Sequence, residues 1–343
     1  MNPIEKGPIF VSGAYGDKGC AIVKTLLETL ELLHLDTQSV YASVIDGDSL
    51  SAQEMSSSGA ITLSLNVFEN YADIVDTLKK VVKLILVIDP LNKRITRDNL
   101  FQYGKILIDA AIEADIQHII FLTPFSELDL LSPPSMPSVN QKQPSASYRS
   151  QFMLVQAYLQ SAFSKEKITL LCYPGILHQH LLVFKDYIQQ HNAFPLPDKY
   201  LENSVESSNL NDIARAAAYI AHSPTSRHGG KDYKLTGPQL LTLREVGSNV
   251  LHGLGRDIQV DTMDIQRLRQ ILAHSIGNQD HADFLLEIWG LQQQQQIVGR
   301  RFEITRDMEA LTGQSGKTLL EYFQDDNACN KFESSSSSKR IIF

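Results

Sequence analysis

The stretch Ile9-Phe10-Val11-Ser12-Gly13-Ala14-Tyr15-Gly16-Asp17-Lys18-Gly19 decides how this chain folds. An apolar, β-prone run leads into three glycines spaced G-x-x-G-x-x-G, and an apolar helical pattern follows from Cys20 to about Leu33. In such a strand–turn–helix the first glycine allows a sharp turn, the second lets backbone approach a pyrophosphate, and the third lets the helix pack on the strand. The free N–H groups and dipole of the helix N-terminus favour phosphate charge. The stretch therefore predicts a dinucleotide site, and an ordinary βα turn is the alternative.

Composition and charge narrow the class of protein. The 343 residues are 43% hydrophobic and 20% charged, as in globular proteins. The net charge is −8 and no basic run is longer than Lys339-Arg340, so we expect no nucleic-acid partner. The three cysteines are far apart and predict neither a disulfide framework nor a thiolate metal site. No secretory signal and no run of ~18 apolar residues is found, so we expect a soluble, cytoplasmic protein without a membrane partner.

Strand and helix patterns alternate through the first half of the chain. Strands are predicted at 39–45, 60–65, 83–88, 117–122 and 168–173, and helices at 70–82, 97–114 and 148–163. Alternation of this kind predicts right-handed βαβ units on a parallel sheet. His118 opens the fifth strand and is interpreted as a surface turn residue.

The end of the second predicted strand bears on the choice of nucleotide. A dinucleotide-binding fold meets the adenosine ribose at this place, where an acidic residue binds the 2′-hydroxyl of NAD and an arginine accepts the 2′-phosphate of NADP. Asp46 stands there, and no Arg or Lys is close in sequence. Asp46 therefore favours NAD, and a simple Asp-Gly turn is the alternative.

A change of composition separates the two halves of the chain. Between 126 and 147 four prolines and several serines occur without a helical or strand period. A loop of this length at the carboxyl end of a parallel strand can cover a ligand crevice, so we interpret 126–147 as a mobile lid, with a disordered insertion as the alternative. Further helices are predicted at 181–190, 209–222, 243–254, 265–272, 282–289 and 318–323, with a strand at 232–235. We expect the serine-rich segment 327–343 to be a disordered tail.

Taken together, these motifs resemble the NmrA-like family of atypical short-chain dehydrogenase/reductases, and among them the fungal ergot-alkaloid reductase type. The resemblance covers roughly residues 8–325. It is carried by the glycine stretch and by Asn211-Asp212-Ile213-Ala214-Arg215-Ala216-Ala217, Tyr233-Lys234-Leu235-Thr236-Gly237-Pro238-Gln239-Leu240-Leu241-Thr242 and Glu309-Ala310-Leu311-Thr312-Gly313-Gln314.

The resemblance implies a fold, a division into domains and a cofactor. The implied fold is α/β, a Rossmann-type doubly wound parallel sheet with a smaller, mostly helical C-terminal substrate domain. The first domain would be 1–175 and bind NAD(P)(H), and the family resemblance favours NADP. The region 176–326 would bind a small-molecule substrate, with parts returning to the sheet, and the protein could form a homodimer.

Site residues follow from the motifs and from the resemblance. The predicted cofactor-binding residues are Gly13, Tyr15, Gly16, Asp17, Lys18, Gly19, Asp46, Asn66, Asp89, Pro90, Thr123, Tyr173, Pro174 and Gly175. The predicted substrate-binding residues are Phe125, Ile176, His178 and His180, and the predicted catalytic residues are Tyr148, Gln151 and Thr123. No metal is expected, because His178 and His180 are two positions apart and have no acidic or cysteine partner at metal-ligand spacing.

Departures from the family pattern affect the expected chemistry. The reductase signature Tyr-x-x-x-Lys pairs a phenol with a lysine, but the stretch Tyr148-Arg149-Ser150-Gln151-Phe152 has no lysine. Many NmrA-like proteins keep a lysine close by, and Gln151 occupies that position here. Without that cation Tyr148 would keep the ordinary pKa of a phenol and be a poor acid at neutral pH. Tyr173 replaces a frequent arginine, and Asn66 replaces a frequent acidic residue that could still bond adenine.

Three functions remain open. The first is an enzyme of fungal secondary metabolism that transfers hydride from NAD(P)H to an alkaloid-like iminium or conjugated double bond. An iminium already carries the charge that an acid would create, so the missing Tyr–Lys pair is tolerated there. The second is a cyclase or isomerase that holds the dinucleotide without net redox chemistry. The third is a non-catalytic NAD(P) sensor that binds a protein partner.

Overall fold

A computed structural model describes residues 7–32, 38–92, 94–125, 147–255, 259–291 and 303–325 of the chain. The predicted lid, apart from Ser147, and the predicted tail 327–343 lie outside the described residues.

The described residues form the following strands and helices. The strands are β1 (Ile9–Val11), β2 (Val40–Val44), β3 (Ile61–Ser64), β4 (Lys83–Val87), β5 (His118–Thr123), β6 (Ile168–Cys172), β7 (Ile176–Leu177), β8 (Ala193–Pro197), β9 (Ser204–Ser208), β10 (Lys231–Lys234), β11 (Leu240–Thr242) and β12 (Gln259–Met263). The helices are α1 (Asp17–Leu32), α2 (Leu50–Ser57), α3 (Tyr71–Leu78), α4 (Leu100–Glu113), α5 (Tyr148–Ala162), α6 (Lys185–His191), α7 (Leu210–His222), α8 (Thr225–His228), α9 (Leu243–Leu254), α10 (Ile265–Ile276), α11 (Gln279–Ile288), α12 (Asp307–Thr312) and α13 (Leu319–Gln324).

The chain divides into two compact units. The first contains the described residues of 1–127, 132–172 and 213–234, and the second contains those of 173–212 and 235–343. Residues 173–175 thus fall in the second unit and the segment 213–234 in the first, and the predicted functional domains stay a prediction.

The first unit is built on a seven-stranded sheet in the order β10-β6-β5-β4-β1-β2-β3. Every neighbouring pair is parallel. Strands β4, β5 and β6 are buried along their whole length, as their continuous apolar runs predict. The order runs outward in both directions from the adjacent strands β1 and β4, which is the doubly wound topology, so the predicted fold class is confirmed.

The junction of β1 and β4 determines where a ligand would bind. In open parallel sheets, ligands lie outside the carboxyl ends of the strands where the strand order reverses. The glycine turn follows β1, and Asp89 follows β4, so both lie at this point of reversal.

The second unit contains more strand than its sequence predicts. Strands β11, β9 and β7 form one small sheet, and β12 pairs with β8 in another. These strands are two to five residues long, and helices α6 and α9–α13 accompany them. Short strands of this kind lack the long apolar runs that marked the strands of the first unit.

A buried polar chain begins at His118, so the interpretation of this residue as a surface turn is wrong. His118 is completely buried, since β5 is flanked by β4 and β6, and its Nε2 lies 2.8 Å from the Thr169 hydroxyl. Thr169 donates to the carbonyl of His228, 2.8 Å away, and His228 Nδ1 lies 2.8 Å from the Tyr233 hydroxyl. These bonds link β5 and β6 to the segment that carries β10.

We predict that acid destabilises the fold through three buried histidines. Burial lowers the pKa of His222 and His228 to about 4 and that of His178 to about 3. In the unfolded chain a histidine titrates near ~6.5, so below that pH the unfolded state binds more protons. The free energy of unfolding should therefore fall from pH 7 to pH 5, by at most about 1.4 kcal/mol per pH unit for each histidine. Urea unfolding across this range measures the slope.

A matched pair of variants assigns the slope. His228→Gln should make it shallower, whereas His274→Gln, at an exposed position, should leave it unchanged. An identical slope in His228→Gln and the wild type would contradict the assignment.

Candidate functional site

The turn after β1 is bonded directly to the end of β4. The Ser12 hydroxyl donates to the carbonyl of Val87 at 2.9 Å and accepts from the Val87 N–H at 2.8 Å. Gly13 has a φ of +64°, and a Cβ there would lie 2.7 Å from the Val87 carbonyl oxygen. Only glycine satisfies both the left-handed φ and the close approach at this position.

The other two glycines of the motif are equally confined. A Cβ at Gly16 would overlap the Asp89 carboxylate, and a Cβ at Gly19 would overlap the main chain of Gly13 and Ala14. Helix α1 begins at Asp17, between these two glycines. The first N–H groups of a helix have no acceptor inside it, so this turn presents N–H donors and the positive end of the helix dipole at one place.

A buried ion pair crosses the same junction. Lys18 Nζ lies 3.1 Å from Asp89 Oδ1, and the two side chains are 3% and 2% exposed. The same carboxylate oxygen accepts from the Leu91 N–H at 3.2 Å, across the buried Pro90. The sequence predicts Lys18 and Asp89 as separate cofactor contacts, and the structure brings them together as partners. Asp89 thereby places a negative charge beside Gly16, and Lys18 balances it.

Two tyrosines close the side of the turn. The Tyr15 hydroxyl donates to that of Tyr103 at 3.3 Å. Burial raises the pKa of Tyr103 to about 12 and raises the pKa of Tyr15 well above its usual value. Both phenols therefore stay protonated at neutral pH and contribute no charge to the site.

The end of β2 carries a turn that engages Asp46. Its Oδ1 accepts from the Asp48 N–H at 3.0 Å, and its carbonyl accepts from the Ser49 hydroxyl at 2.8 Å. Ser49 is the N-cap of α2, a helix that the sequence analysis did not predict. Asp46 thus builds the entry to α2, and its role in binding NAD stays a prediction.

An open cleft of about 650 Å³ lies beside this turn, at the carboxyl ends of β2 and β3. It is lined by Ile45, Ser64, Asn66, Phe68, Glu69, Asn70, Arg94 and Asn99. Sequence reasoning identified Asn66 alone among these. Asn66 Oδ1 accepts from the Phe68 N–H at 3.3 Å, so its side chain also shapes the loop after β3. Arg94 and Asn99 come from the loop after β4. The sequence could have identified them only through the expectation that β4 lies next to β1, which brings this loop to the same side of the sheet.

The predicted catalytic residues lie on β5 and α5. Tyr148 is fully buried at the start of α5. Gln151 Oε1 accepts from the Phe101 N–H at 3.0 Å, in the first turn of α4, so this side chain joins two helices. The Thr123 hydroxyl bonds both the N–H and the carbonyl of Phe125, at 3.2 and 3.0 Å. The side chains of Gln151 and Thr123 therefore bond to main-chain groups of the protein itself, and their catalytic roles stay predictions.

The remaining predicted residues lie in the second unit, except Phe125, which is buried in the first. The segment Tyr173–His180 is buried, and Gly175 adopts a φ of +80° with no room for a Cβ beside the Glu206 carbonyl. Burial, with a smaller effect from the charge of Lys317, lowers the pKa of His178 to about 3. Within the described residues neither ring nitrogen of His178 has a hydrogen-bond partner, and its ring packs against Tyr322 at 5.6 Å. His178 is thus a neutral, buried group.

Two absences concern the described part of the chain. No group of three or more His, Cys, Asp or Glu side chains there could hold a metal ion. Among the same residues no helix is long and apolar enough to cross a membrane.

The sequence matches the NmrA-like family over residues 5–307. The chain belongs to the NmrA-like family. The predicted family is thereby confirmed.

Individual relatives are more distant. An NAD(P)H azoreductase from Xenophilus azovorans is 24% identical over 149 residues, which are 43% of this chain and 49% of that protein, so the match spans about half the length of the relative. The triphenylmethane reductase of Citrobacter sp., complexed with NADP(H), has a TM-score of 0.67 at 14% identity and covers 94% of this chain and 99% of its own. The negative transcriptional regulator NmrA in complex with NAD has a TM-score of 0.63 at 15% identity, with coverages of 93% and 95%. The fold of this chain is thus similar to that of a reductase and to that of a regulator, and those two structures hold NADP(H) and NAD respectively.

An NAD(P) dinucleotide fits the junction of β1 and β4 in this NmrA-like protein. Gly13 and Gly16 have no room for a Cβ beside Val87 and Asp89, so this turn is bare main chain of the kind that a pyrophosphate approaches. The N-terminus of α1 supplies N–H donors and a favourable dipole. Gly13, Gly16 and Lys18 are the residues that would hold the diphosphate.

We expect Gly16→Val to impair dinucleotide binding. The branched side chain would displace the Asp89 carboxylate and obstruct the approach of the pyrophosphate, so affinity should fall at least about tenfold. Calorimetric titration with NADPH and NADH measures the loss, and thermal unfolding verifies the fold. Ser161→Val is the control, because this exposed residue near the carboxyl end of α5 precedes the amino end of β6, so dinucleotide affinity should be unchanged. Equal affinities in wild type and Gly16→Val would refute the site.

Proposed function

We propose that this protein is an NAD(P)H-dependent reductase that delivers hydride to a small, apolar, conjugated acceptor that already carries positive charge. The observation that carries the proposal is the junction of β1 and β4. The turn there contains three glycines without room for a Cβ, and one of them, Gly16, lies against the buried Lys18–Asp89 pair. When bound, the dinucleotide supplies the hydride, and the protein supplies position and electrostatics.

The character of the acceptor is argued from α5. The position where the family keeps a lysine holds Gln151, and its side-chain oxygen is bonded to Phe101 in α4. A neutral amide fixed in this way cannot supply the cation that would make Tyr148 a better acid. An acceptor that needs no proton suits such a site. A cationic conjugated carbon accepts hydride to give a neutral product, whereas a carbonyl or azo group must also be protonated.

The names of the relatives suggest suitable probes. One relative is a triphenylmethane reductase and another an azoreductase. A cationic triphenylmethane dye takes hydride at its central carbon, whereas the neutral azo group of an azo dye needs a proton as well. The narrower expectation of an alkaloid-like iminium in secondary metabolism belongs to the same chemical class and stays a prediction.

We expect Tyr148→Phe to retain most of the activity with a cationic acceptor. A general acid contributes roughly 10²–10⁴-fold to a rate, so a loss below about tenfold would show that Tyr148 does not act as one. The assay is decolourisation of crystal violet with NADPH or NADH in excess, with nucleotide oxidation recorded in parallel.

Two controls make the assay decisive. Gly16→Val should abolish decolourisation, and a neutral azo dye should react more slowly than crystal violet with the wild type. A loss of 10²-fold or more in Tyr148→Phe, with nucleotide binding intact, would identify the phenol as the acid. Absence of any dye reduction by a protein that binds the nucleotide would instead favour the sensor or the isomerase.

A further inference from the structure

The cleft beside β2 is positioned for the adenosine end of a dinucleotide. Ile45 directly follows β2, and Ser64 at the end of β3 donates to the Ile45 carbonyl at 2.9 Å. In doubly wound folds the adenosine ribose lies at the end of β2, and the nature of the nearby charged residue decides between NAD and NADP. Both Ile45 and Ser64 line the cleft, so the other lining residues are candidates to bind the ribose and to distinguish its 2′-hydroxyl from a 2′-phosphate.

Among the described residues that line the cleft, Arg94 alone is cationic. Its main chain is fixed on both sides, because its N–H donates to Asn92 Oδ1 at 2.9 Å and its carbonyl accepts from Asn99 Nδ2 at 2.8 Å. Asn99 is itself held, since its Oδ1 accepts from the Thr96 N–H at 2.8 Å. Two asparagine side chains therefore hold the loop after β4 in a shape that presents Arg94 to the cleft.

The guanidinium of Arg94 is suited to a phosphate. Arg94 is exposed, and no ion pair among the described residues involves it. A guanidinium binds phosphate oxygens through two parallel, charge-assisted N–H bonds. Glu69 lines the same cleft and offers an acceptor that matches the amino group of adenine, and the amides of Asn70 and Asn99 add neutral polar groups.

Asp46, the residue that the sequence assigned to the ribose, does not line the cleft. Its carboxylate accepts from the Asp48 N–H and holds the turn before α2, as described above. A turn residue of this kind does not by itself select NAD.

We propose that Arg94 binds the 2′-phosphate of the adenosine ribose and makes this protein select NADP(H) over NAD(H). The inference rests on the proposed dinucleotide site. It assigns nucleotide selection to the loop after β4 instead of the end of β2.

Binding, measured without turnover, tests the inference. Dissociation constants are determined for NADPH and NADH from nicotinamide fluorescence, and for adenosine 2′,5′-bisphosphate and AMP by calorimetry. The wild type should bind NADPH at least about tenfold more tightly than NADH, and the bisphosphate more tightly than AMP. Arg94→Ala should lose that advantage by weakening NADPH and the bisphosphate at least about tenfold, with less than twofold change for NADH and AMP.

Matched variants separate charge from fold. Arg227→Ala removes the same charge from the first unit at an exposed position before the amino end of β10, and should leave all four constants unchanged. Asp46→Ala should change the ratio of NADPH to NADH by less than about twofold. Thermal unfolding of each variant reports whether the fold is retained.

Each contrary result has a distinct meaning. Equal weakening of NADPH and NADH in Arg94→Ala would overturn the inference, because Arg94 would then contact a part common to both nucleotides. A wild type that prefers NADH, with the preference lost in Asp46→Ala, would overturn it in favour of Asp46. A wild type that binds neither nucleotide would overturn the dinucleotide site itself, and with it the proposed function.

Discussion

The close approach of the β1 turn to the end of β4 is the constraint on which the rest of this structure depends. The hydroxyl of Ser12 takes the place of a ladder bond to Val87, and Gly13 continues into a turn that has no space for a side chain. Because the strand order reverses between β1 and β4, this contact also lies where a doubly wound sheet places its ligand crevice. The fold and the candidate site therefore have the same origin.

The Lys18–Asp89 pair adds an electrostatic element to that geometry. A buried ion pair contributes little net stability, since the cost of removing two charges from water offsets their attraction. The consequence of the pair is local. The Asp89 carboxylate holds the loop at Leu91, and the Lys18 ammonium offsets the negative charge of that carboxylate beside the glycine turn. A phosphate at the N-terminus of α1 then meets N–H donors and a balanced pair instead of an isolated carboxylate.

The parts that the sequence predicts are those whose signal is local. The run before Gly13 and the apolar run of β4 identify strands without reference to the rest of the chain, and the family resemblance follows from ordered motifs. The missed parts depend on contacts between distant segments. Helix α2 has few buried residues, His118 is buried only because β4 and β6 flank it, and Arg94 reaches the β2 end through a loop that belongs to β4. No local pattern marks any of these three.

The most direct test of the central claim is a crystal structure of the protein with bound NADP⁺. The account predicts that the pyrophosphate lies against the turn after β1, with oxygens accepting from main-chain N–H groups between Gly13 and Gly19. It also predicts that Lys18 and Asp89 remain at that junction. A pyrophosphate bound away from this turn, at another edge of the sheet or in the second unit, would contradict the account.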